Sequence, residues 1–423
     1  MHDMSAKKAA LPAYQPHPNF AKWHRLFPTT AWMRRKAPRN VPRFAFEYGD
    51  TGAGNDVGIA HNWAAFDAIK VMPRYGVVVT PPPVEVELFG TRYNAPIGIA
   101  PMGAPSLVWP GADVLMAKAA QHARVPYALS TAGGLTIEEA AKYAPDVFWL
   151  QLYRFWRDDH KIGFDLMRRA QTVDTKVLAL TLDVPVRTTR SRETYAGLAN
   201  EFHPTVRMLY EMLVRPKWLW AFMRKGYPRF ATLSEYAKSR HTNTIIRFAR
   251  ANMGGAFTWE EVKRYRDKWQ GKMVVKGVLH PTDAEMAVAL GIDGVWMSNH
   301  GGRQIEALMP SIDCLPAVAA AVGKKATILL DSGVRSGQDV MRALALGADA
   351  AFAGKSFLWA VAAIGDEGPA QLIDLYIDEL RASLGQIGAH SPAEARNANI
   401  RHLGAVDFDA APARRPAAKR VKR

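Results

Sequence analysis

The run Val295-Trp-Met-Ser298-Asn-His300-Gly-Gly-Arg303-Gln304 sets an imidazole and a guanidinium three positions apart behind a short apolar stretch. The two glycines between them let backbone and side chains come close to a ligand. A histidine can accept a proton, and an arginine offers a planar pair of donors that fits a carboxylate. A lone histidine more often serves packing, but one that shares a strand end with an arginine has a chemical task within reach. Asp183 could hold the imidazolium formed in such a step. A second constellation lies in Leu330-Asp331-Ser-Gly333-Val-Arg335-Ser-Gly337 and Phe352-Ala-Gly354-Lys355, where glycine turns lead into helices. Free N–H groups and the helix dipole make such turns sites for a phosphate, and Arg335 and Lys355 add charge.

These groups need elements that position them. From Ala95 onward short apolar runs alternate with amphipathic stretches, which predicts an α/β fold, a (β/α)8 TIM barrel with a long insertion after strand 4. The predicted strands are Ile97–Pro101, Tyr127–Thr131, Val147–Tyr153, Val177–Asp183, Met273–Gly277, Gly294–His300, Thr327–Gly333 and Ala350–Gly354. Helix-like segments follow, as at Thr136–Tyr143 and Pro281–Leu290. A doubly wound sheet is the alternative, weakened by the absence of a G-x-G-x-x-G turn after any strand. Barrel enzymes work at the C-terminal ends of their strands. Here those ends carry Gln151 and Tyr153, Thr181 and Asp183, Lys276, Ser298 to Arg303, and Asp331. Packing gives no reason for so many titratable groups there, because burying an unpaired charge is costly.

The connection Arg187–Ala256 is too long for an ordinary strand-to-helix loop and reads as an insertion over the barrel mouth. Within it, Arg207–Phe230 mixes Trp218, Leu219, Trp220, Phe222 and Met223 with Arg215, Lys217, Arg224, Lys225 and Arg229. That composition suits an interfacial membrane anchor, and equally a helix packed on the barrel with its basic face in water. The expected division is an N-terminal extension 1–40, a barrel 41–390 containing the insertion 187–256, and a C-terminal extension 391–423.

With 423 residues and 48% hydrophobic content the chain can bury a large core, and its net charge of +16 favours anionic partners. Part of that charge sits in the tail residues Arg414, Arg415, Lys419, Arg420, Lys422 and Arg423, read first as a solvated tail and next as a contact for anionic lipid. No specific nucleic acid is expected. The first ~20 residues and roughly the last 15 are poor in apolar pattern and read as loose ends. The lone Cys314 excludes an intramolecular disulfide and a four-cysteine metal site, and no metal is expected. Met1–Phe20 lacks the apolar core of a secretory signal, and charge or proline interrupts every apolar stretch short of the roughly 20 residues a span needs. Cytoplasmic residence is the expectation, with peripheral contact to the inner membrane face.

Taken together, Ser298-Asn-His-Gly-Gly-Arg303-Gln304, Val275-Lys-Gly277, Gln151-Leu-Tyr153, Thr181-Leu-Asp183 and Asp331-Ser-Gly-Val-Arg335 resemble the FMN-dependent α-hydroxy acid dehydrogenase/oxidase family, from Val41 to Gly368. That family includes glycolate oxidase, flavin-type lactate dehydrogenase and mandelate dehydrogenase. The resemblance implies FMN-dependent oxidation of an L-2-hydroxy acid to the 2-oxo acid. By motif, His300 would be the base with Asp183 paired to it. Arg303 and Arg190 would grip the carboxylate, with Arg192 the alternative to Arg190. Tyr48 would help hold the carboxylate and Tyr153 would stand near the hydroxyl. Lys276 would lie by the flavin N1–C2 edge, and Pro101, Met102 and Gly103 would pass along the ring. Ser130, Gln151 and Thr181 would hydrogen-bond it, and Ser298 counts among the cofactor contacts. The backbone around Asp331, Gly333 and Arg335, with Gly354 and Lys355, would receive the phosphate. Two departures stand out: Lys355 replaces a commoner arginine and Ser332 a usual glycine.

The family likeness also bears on acceptor and substrate. Gly103 stands where family oxidases tend to have alanine and membrane-associated dehydrogenases glycine, although lactate monooxygenase-like relatives share the glycine. With the basic, Trp-rich insertion this favours quinone as acceptor and oxygen as the alternative. Ala132 replaces the tryptophan of glycolate oxidase-like enzymes, which points to lactate- or mandelate-like acids. A homotetramer is the implied assembly. Outside the family, a phosphate-binding barrel enzyme of other chemistry would leave His300, Arg303 and Asp183 without a task, and a non-catalytic scaffold would explain only the charge.

Overall fold

The computed structural model describes residues 14–73, 75–76, 80–186, 188–198 and 204–408. The basic tail and residues 1–13 lie outside the described residues. Eight strands close into a barrel: β1 (Ile97–Ile99), β2 (Tyr127–Ser130), β3 (Phe148–Leu152), β4 (Val177–Thr181), β5 (Lys272–Val278), β6 (Gly294–Met297), β7 (Thr327–Leu330) and β8 (Ala350–Ala353). Every neighbouring pair is parallel, and β8 returns to β1 through Ala351 opposite Ile97. Each strand overlaps its predicted run, and β5 extends one residue past it at both ends. The strands are buried almost without a break, because helices cover the outer face and side chains fill the inner one.

Inside the barrel Trp149, Trp296 and Phe352 stack into one another, with ring centroids 6.2 Å apart for Trp149 and Trp296 and 4.2 Å for Trp296 and Phe352. Gly98 on β1 makes room for them, since a Cβ there would come within 2.1 Å of the Phe352 ring. Below this layer the hairpin Val86–Leu88/Thr91–Tyr93 sets Phe89 against Trp149 at 5.6 Å and beside Gly294, the first residue of β6. The barrel interior is therefore plugged from below by side chains.

The helices begin where local chemistry directs. Thr136 and Glu139 form a reciprocal capping box at Ile137–Tyr143, and Pro281 opens Pro281–Ala289, where its missing N–H costs nothing. Helix Thr30–Asn40 packs against Lys355–Ile364, and the Thr30 hydroxyl donates to the Arg335 carbonyl at 2.7 Å.

The insertion after β4 folds into short helices, Ser191–Tyr195, Val206–Leu213, Pro216–Lys225, Ala231–Ala237 and Thr242–Asn252. The residues read as a possible anchor divide between two roles. Trp218 is buried, donates Nε1–H to the Val108 carbonyl at 3.0 Å, meets Phe44 edge-on and stacks on Phe222. Trp220, two positions and about 200° further round the helix, points outward. With Leu209, Tyr210, Leu213 and Met223 it leaves an exposed apolar face. Among the described residues no helix is long and apolar enough to cross a membrane.

Candidate active site

The strand ends converge on one cavity at the top of the barrel, lined by Tyr48, Pro101, Met102, Gly103, Tyr153, Lys276, His300, Arg303, Asp331, Gly333, Arg335, Gly354 and Lys355, among others. Four predicted contacts do not line it: Ser130, Gln151, Thr181 and Ser298. The first three form a buried row on β2, β3 and β4, with Ser130 opposite Gln151 and Gln151 Nε2 donating to Thr181 Oγ1 at 2.7 Å. Ser298 is fully buried, accepts from Lys276 Nζ at 2.7 Å and donates to Asp331 at 2.5 Å. It orients the lysine from behind the cavity wall.

His300 Nδ1 lies 3.0 Å from Asp183 Oδ1, and Lys276 Nζ lies 3.8 Å from the other Asp183 oxygen. Gly277 permits this approach: its φ is +102°, and a Cβ there would meet the Asp183 side chain at 2.4 Å. Burial alone would raise the Asp183 carboxyl, but the His300 and Lys276 charges outweigh it and hold it below the usual carboxylate range. Burial would likewise lower Lys276, yet Asp331 at 3.0 Å and Asp183 lift it above the ordinary lysine value. Both groups are therefore charged at neutral pH. The imidazole has one nitrogen committed to a carboxylate while the residue lines the cavity.

His300 sits at φ +58°, outside the region an L-residue prefers, and its loop is held from below. The Ser332 hydroxyl accepts from the backbone N–H groups of Asn299 at 3.1 Å and Gly301 at 3.0 Å, and donates to Asp331 at 2.7 Å. Ser332 itself stands at φ +77°. The serine that replaces a usual glycine thus accepts backbone strain and ties down the loop that carries His300.

Arg303 donates to the carbonyls of Tyr48 at 2.9 Å and Thr51 at 3.1 Å, and to Glu193 at 2.6 Å. Arg190 donates to Glu193 at 3.2 Å and, through Nε, to the Arg303 carbonyl at 3.4 Å. Burial, and then the Arg190 charge, weaken Arg303's hold on its proton. Arg192, the alternative to Arg190, is engaged elsewhere, on Glu47 at 2.6 Å, Asp56 at 2.6 Å and Asp50 at 2.9 Å. At the His300 side of the cavity Arg303 lines the wall and Arg190 stands behind it, in contact with the Arg303 carbonyl. Tyr48 donates its hydroxyl to the Gly103 carbonyl at 2.6 Å, and burial pushes it up to about 12. Sequence reading assigned Glu193 no role. Its signal was its place three residues after Arg190, one helical turn along.

The residues fit a flavin mononucleotide. No side chain caps helix Lys355–Ile364, so its first N–H groups are free to meet an anion beside Arg335 and Lys355. Burial and the Arg303 charge depress Lys355 well below the lysine range, as befits a cation awaiting an anionic partner. Gln151 Oε1 and Arg335 Nε are buried without hydrogen-bond partners among the described residues, a spare acceptor and a spare donor.

The FMN-dependent dehydrogenase family matches residues 37–402. The chain belongs to that family. An L-lactate dehydrogenase of Azorhizobium caulinodans is 36% identical over 363 residues, covering 85% of this chain and 95% of the relative. One from Bartonella quintana is 33% identical over 376 residues, covering 88% and 97%. Among solved structures, the monotopic membrane protein (S)-mandelate dehydrogenase superposes with a TM-score of 0.83 at 30% identity, covering 88% of this chain and 99% of that one. A mandelate oxidase with (S)-4-hydroxymandelic acid gives 0.77 at 31% identity, covering 89% and 99%. As in other FMN-dependent dehydrogenases of this type, the cofactor is FMN and the reaction is oxidation of a 2-hydroxy acid.

Proposed function

We propose that this enzyme oxidises lactate- or mandelate-like L-2-hydroxy acids and passes the electrons to quinone while resting on an anionic membrane surface. The observation that carries the chemistry is the His300–Asp183 pair beside the Arg303–Arg190 pair. Arg303 and Arg190 grip the substrate carboxylate, with Tyr48 beside them, so that the C2 hydroxyl lies near His300 and Tyr153. His300 takes the proton that leaves during oxidation. Asp183, held ionised, stabilises the resulting imidazolium and fixes the ring. Bound FMN supplies the two-electron acceptor. Lys276, held charged, would lie beside the bound cofactor, where a cation favours the reduced, negative form. Hydride and proton-first routes use these same residues.

Ser130, Gln151 and Thr181 would meet the flavin ring from the barrel top, with Pro101, Met102 and Gly103 along it. The backbone of Asp331, Gly333, Arg335 and Gly354, with the Arg335 and Lys355 side chains, would hold the phosphate. The barrel 41–390, insertion included, forms the catalytic unit, with 1–40 and 391–423 as extensions.

Two features support the finer reading. An apolar chamber of about 370 Å³ under the insertion, walled by Leu107, Met208, Met212, Trp218, Phe222 and Phe230, shares Tyr48 with the active-site cavity. It offers room for a bulky apolar side chain and favours mandelate-like acids over lactate. The exposed Leu213, Trp220 and Met223, flanked by Lys217, Arg224 and Lys225, suit an anionic bilayer surface. The named monotopic relative supports the same placement. Family likeness supports a homotetramer. Oxygen is the second reading for the acceptor, favoured by the mandelate oxidases among the structural neighbours.

Anaerobic mixing of the FMN-loaded protein with L-mandelate and L-lactate should bleach the visible flavin band, fastest with mandelate. A quinone analogue should restore the band faster than oxygen. No bleaching by either acid sinks the substrate assignment, and faster return with oxygen sinks the acceptor. The double substitution Trp220→Ser, Met223→Ser should abolish sedimentation with anionic vesicles while leaving turnover with a soluble acceptor intact.

A further inference from the structure

We propose that Glu193 is a built-in stand-in for the substrate carboxylate: it occupies the Arg303–Arg190 grip in the free enzyme and is displaced when a 2-hydroxy acid binds. The inference rests on the reading of those arginines as the carboxylate grip. Both guanidinium groups reach the same carboxylate, Arg303 Nη2 at 2.6 Å and Arg190 Nη1 at 3.2 Å from Glu193 Oε1. The remaining donors of Arg303 that the structure pairs go to main-chain carbonyls, which cannot leave. Glu193 is therefore the exchangeable partner.

The physical need for a stand-in is clear. The Glu193 side chain is 13% exposed and that of Arg303 16%, so removing this anion would leave two cations facing each other with little water. Burial first, and then the Arg190 charge, already depress the proton affinity of Arg303. A carboxylate from the protein keeps the grip assembled and correctly aimed until one from the substrate arrives. Its position permits departure: Glu193 belongs to the five-residue helix Ser191–Tyr195, and it also lines the chamber beyond Tyr48. Glu193 is thus a positioning and specificity residue. It sets a threshold that a ligand must exceed with its own carboxylate, so neutral hydroxy compounds are refused. The apparent affinity for any carboxylate is lowered by the fraction of enzyme in which the grip is already filled.

The test uses the FMN-loaded enzyme and two monocarboxylates without a 2-hydroxyl, phenylacetate and propionate, followed by flavin difference spectra and calorimetry. Glu193→Gln, which keeps shape and loses charge, should bind both about tenfold or more tightly than the parent. Glu193→Asp, whose carboxylate is one methylene shorter, should fall between the two. KM for L-mandelate should drop in Glu193→Gln with kcat changed much less. Unchanged or weaker binding in Glu193→Gln overturns the proposal, because a carboxylate that merely orients the arginines and stays in place would help binding. Arg303→Met made in both backgrounds separates the two layers of inference. If it abolishes binding in both but Glu193→Gln does not tighten it, the stand-in idea alone fails. If Arg303→Met leaves binding intact, the carboxylate grip itself is misassigned and the proposal falls with it.

Discussion

Arg192 and Arg190 are separated by one residue, yet they live in opposite electrostatic worlds. Arg192 is surrounded by three carboxylates, Glu47, Asp50 and Asp56, and Arg34 joins the same cluster through Asp50 at 2.7 Å. Arg190 shares a single carboxylate with Arg303. The first cluster is rich in anions and closed. The second is short of anions and lies where a ligand's carboxylate could complete it. The residue type decides neither outcome. What decides is how many acidic side chains the helix Arg43–Asp50 and the turn after it deliver to each guanidinium.

The sharpest way to break this contrast is Arg303→Met. If the second cluster exists for the substrate, kcat/KM for L-mandelate should fall about a thousandfold, from loss of a buried charge-assisted contact of about 4 kcal/mol, while the melting temperature moves little. A large loss of stability instead would make Arg303 another structural tie. The converse change is Arg192→Met. It leaves the fully buried Asp50 short of a partner, and because the arginine side chain is 31% exposed the expected loss is about 2–3 kcal/mol in urea unfolding, with KM nearly unchanged.

Lys355 sharpens the comparison through pH. Its proton affinity is depressed by burial and by the Arg303 charge, so in the flavin-free protein it costs stability fully below its lowered pKa, a cost that fades as pH rises toward the ordinary lysine value. A phosphate beside it restores the charged form. FMN binding should therefore take up a proton, more of it with increasing pH, measurable by calorimetry in buffers of different ionisation enthalpy. Lys355→Gln should abolish that uptake. The smallest effect is expected at the rim of the closed cluster: Arg34→Met should cost about 1 kcal/mol or less, since its side chain is 39% exposed and Arg192 still neutralises Asp50.

Much of the barrel was legible because parallel strands buried on both faces must read as apolar runs, and a run that ends in Lys276 or Asp183 announces the ligand end. His300, Asp183, Arg303 and Lys276 came together as their strand positions required. Other features were hidden for physical reasons. Trp218 and Trp220 look alike in a composition, yet a two-residue step on a helix sends one into the core and the other into solvent. Ser298 has the position of a ligand contact, and only the fold shows that its hydroxyl also ties Lys276 to Asp331 and accepts the His300 N–H. Glu193 is one more acid in a polar stretch until the fold folds it back onto Arg303, 110 residues away in sequence. Such contacts depend on where a long insertion returns to the barrel, and no local pattern encodes that.

Ser332 leaves the chain with a narrow choice at one site. A glycine there would relieve the left-handed backbone and forfeit the hydroxyl that binds Asn299 and Gly301. Any larger residue would keep the strain without supplying those bonds. Threonine alone could imitate the hydroxyl, and its branched Cβ makes positive φ harder still. The position has almost no neutral neighbours in sequence space, so drift here should be confined to serine and glycine. An exchange between them would alter how firmly the histidine loop is held while leaving His300, Asp183 and Arg303 themselves in place.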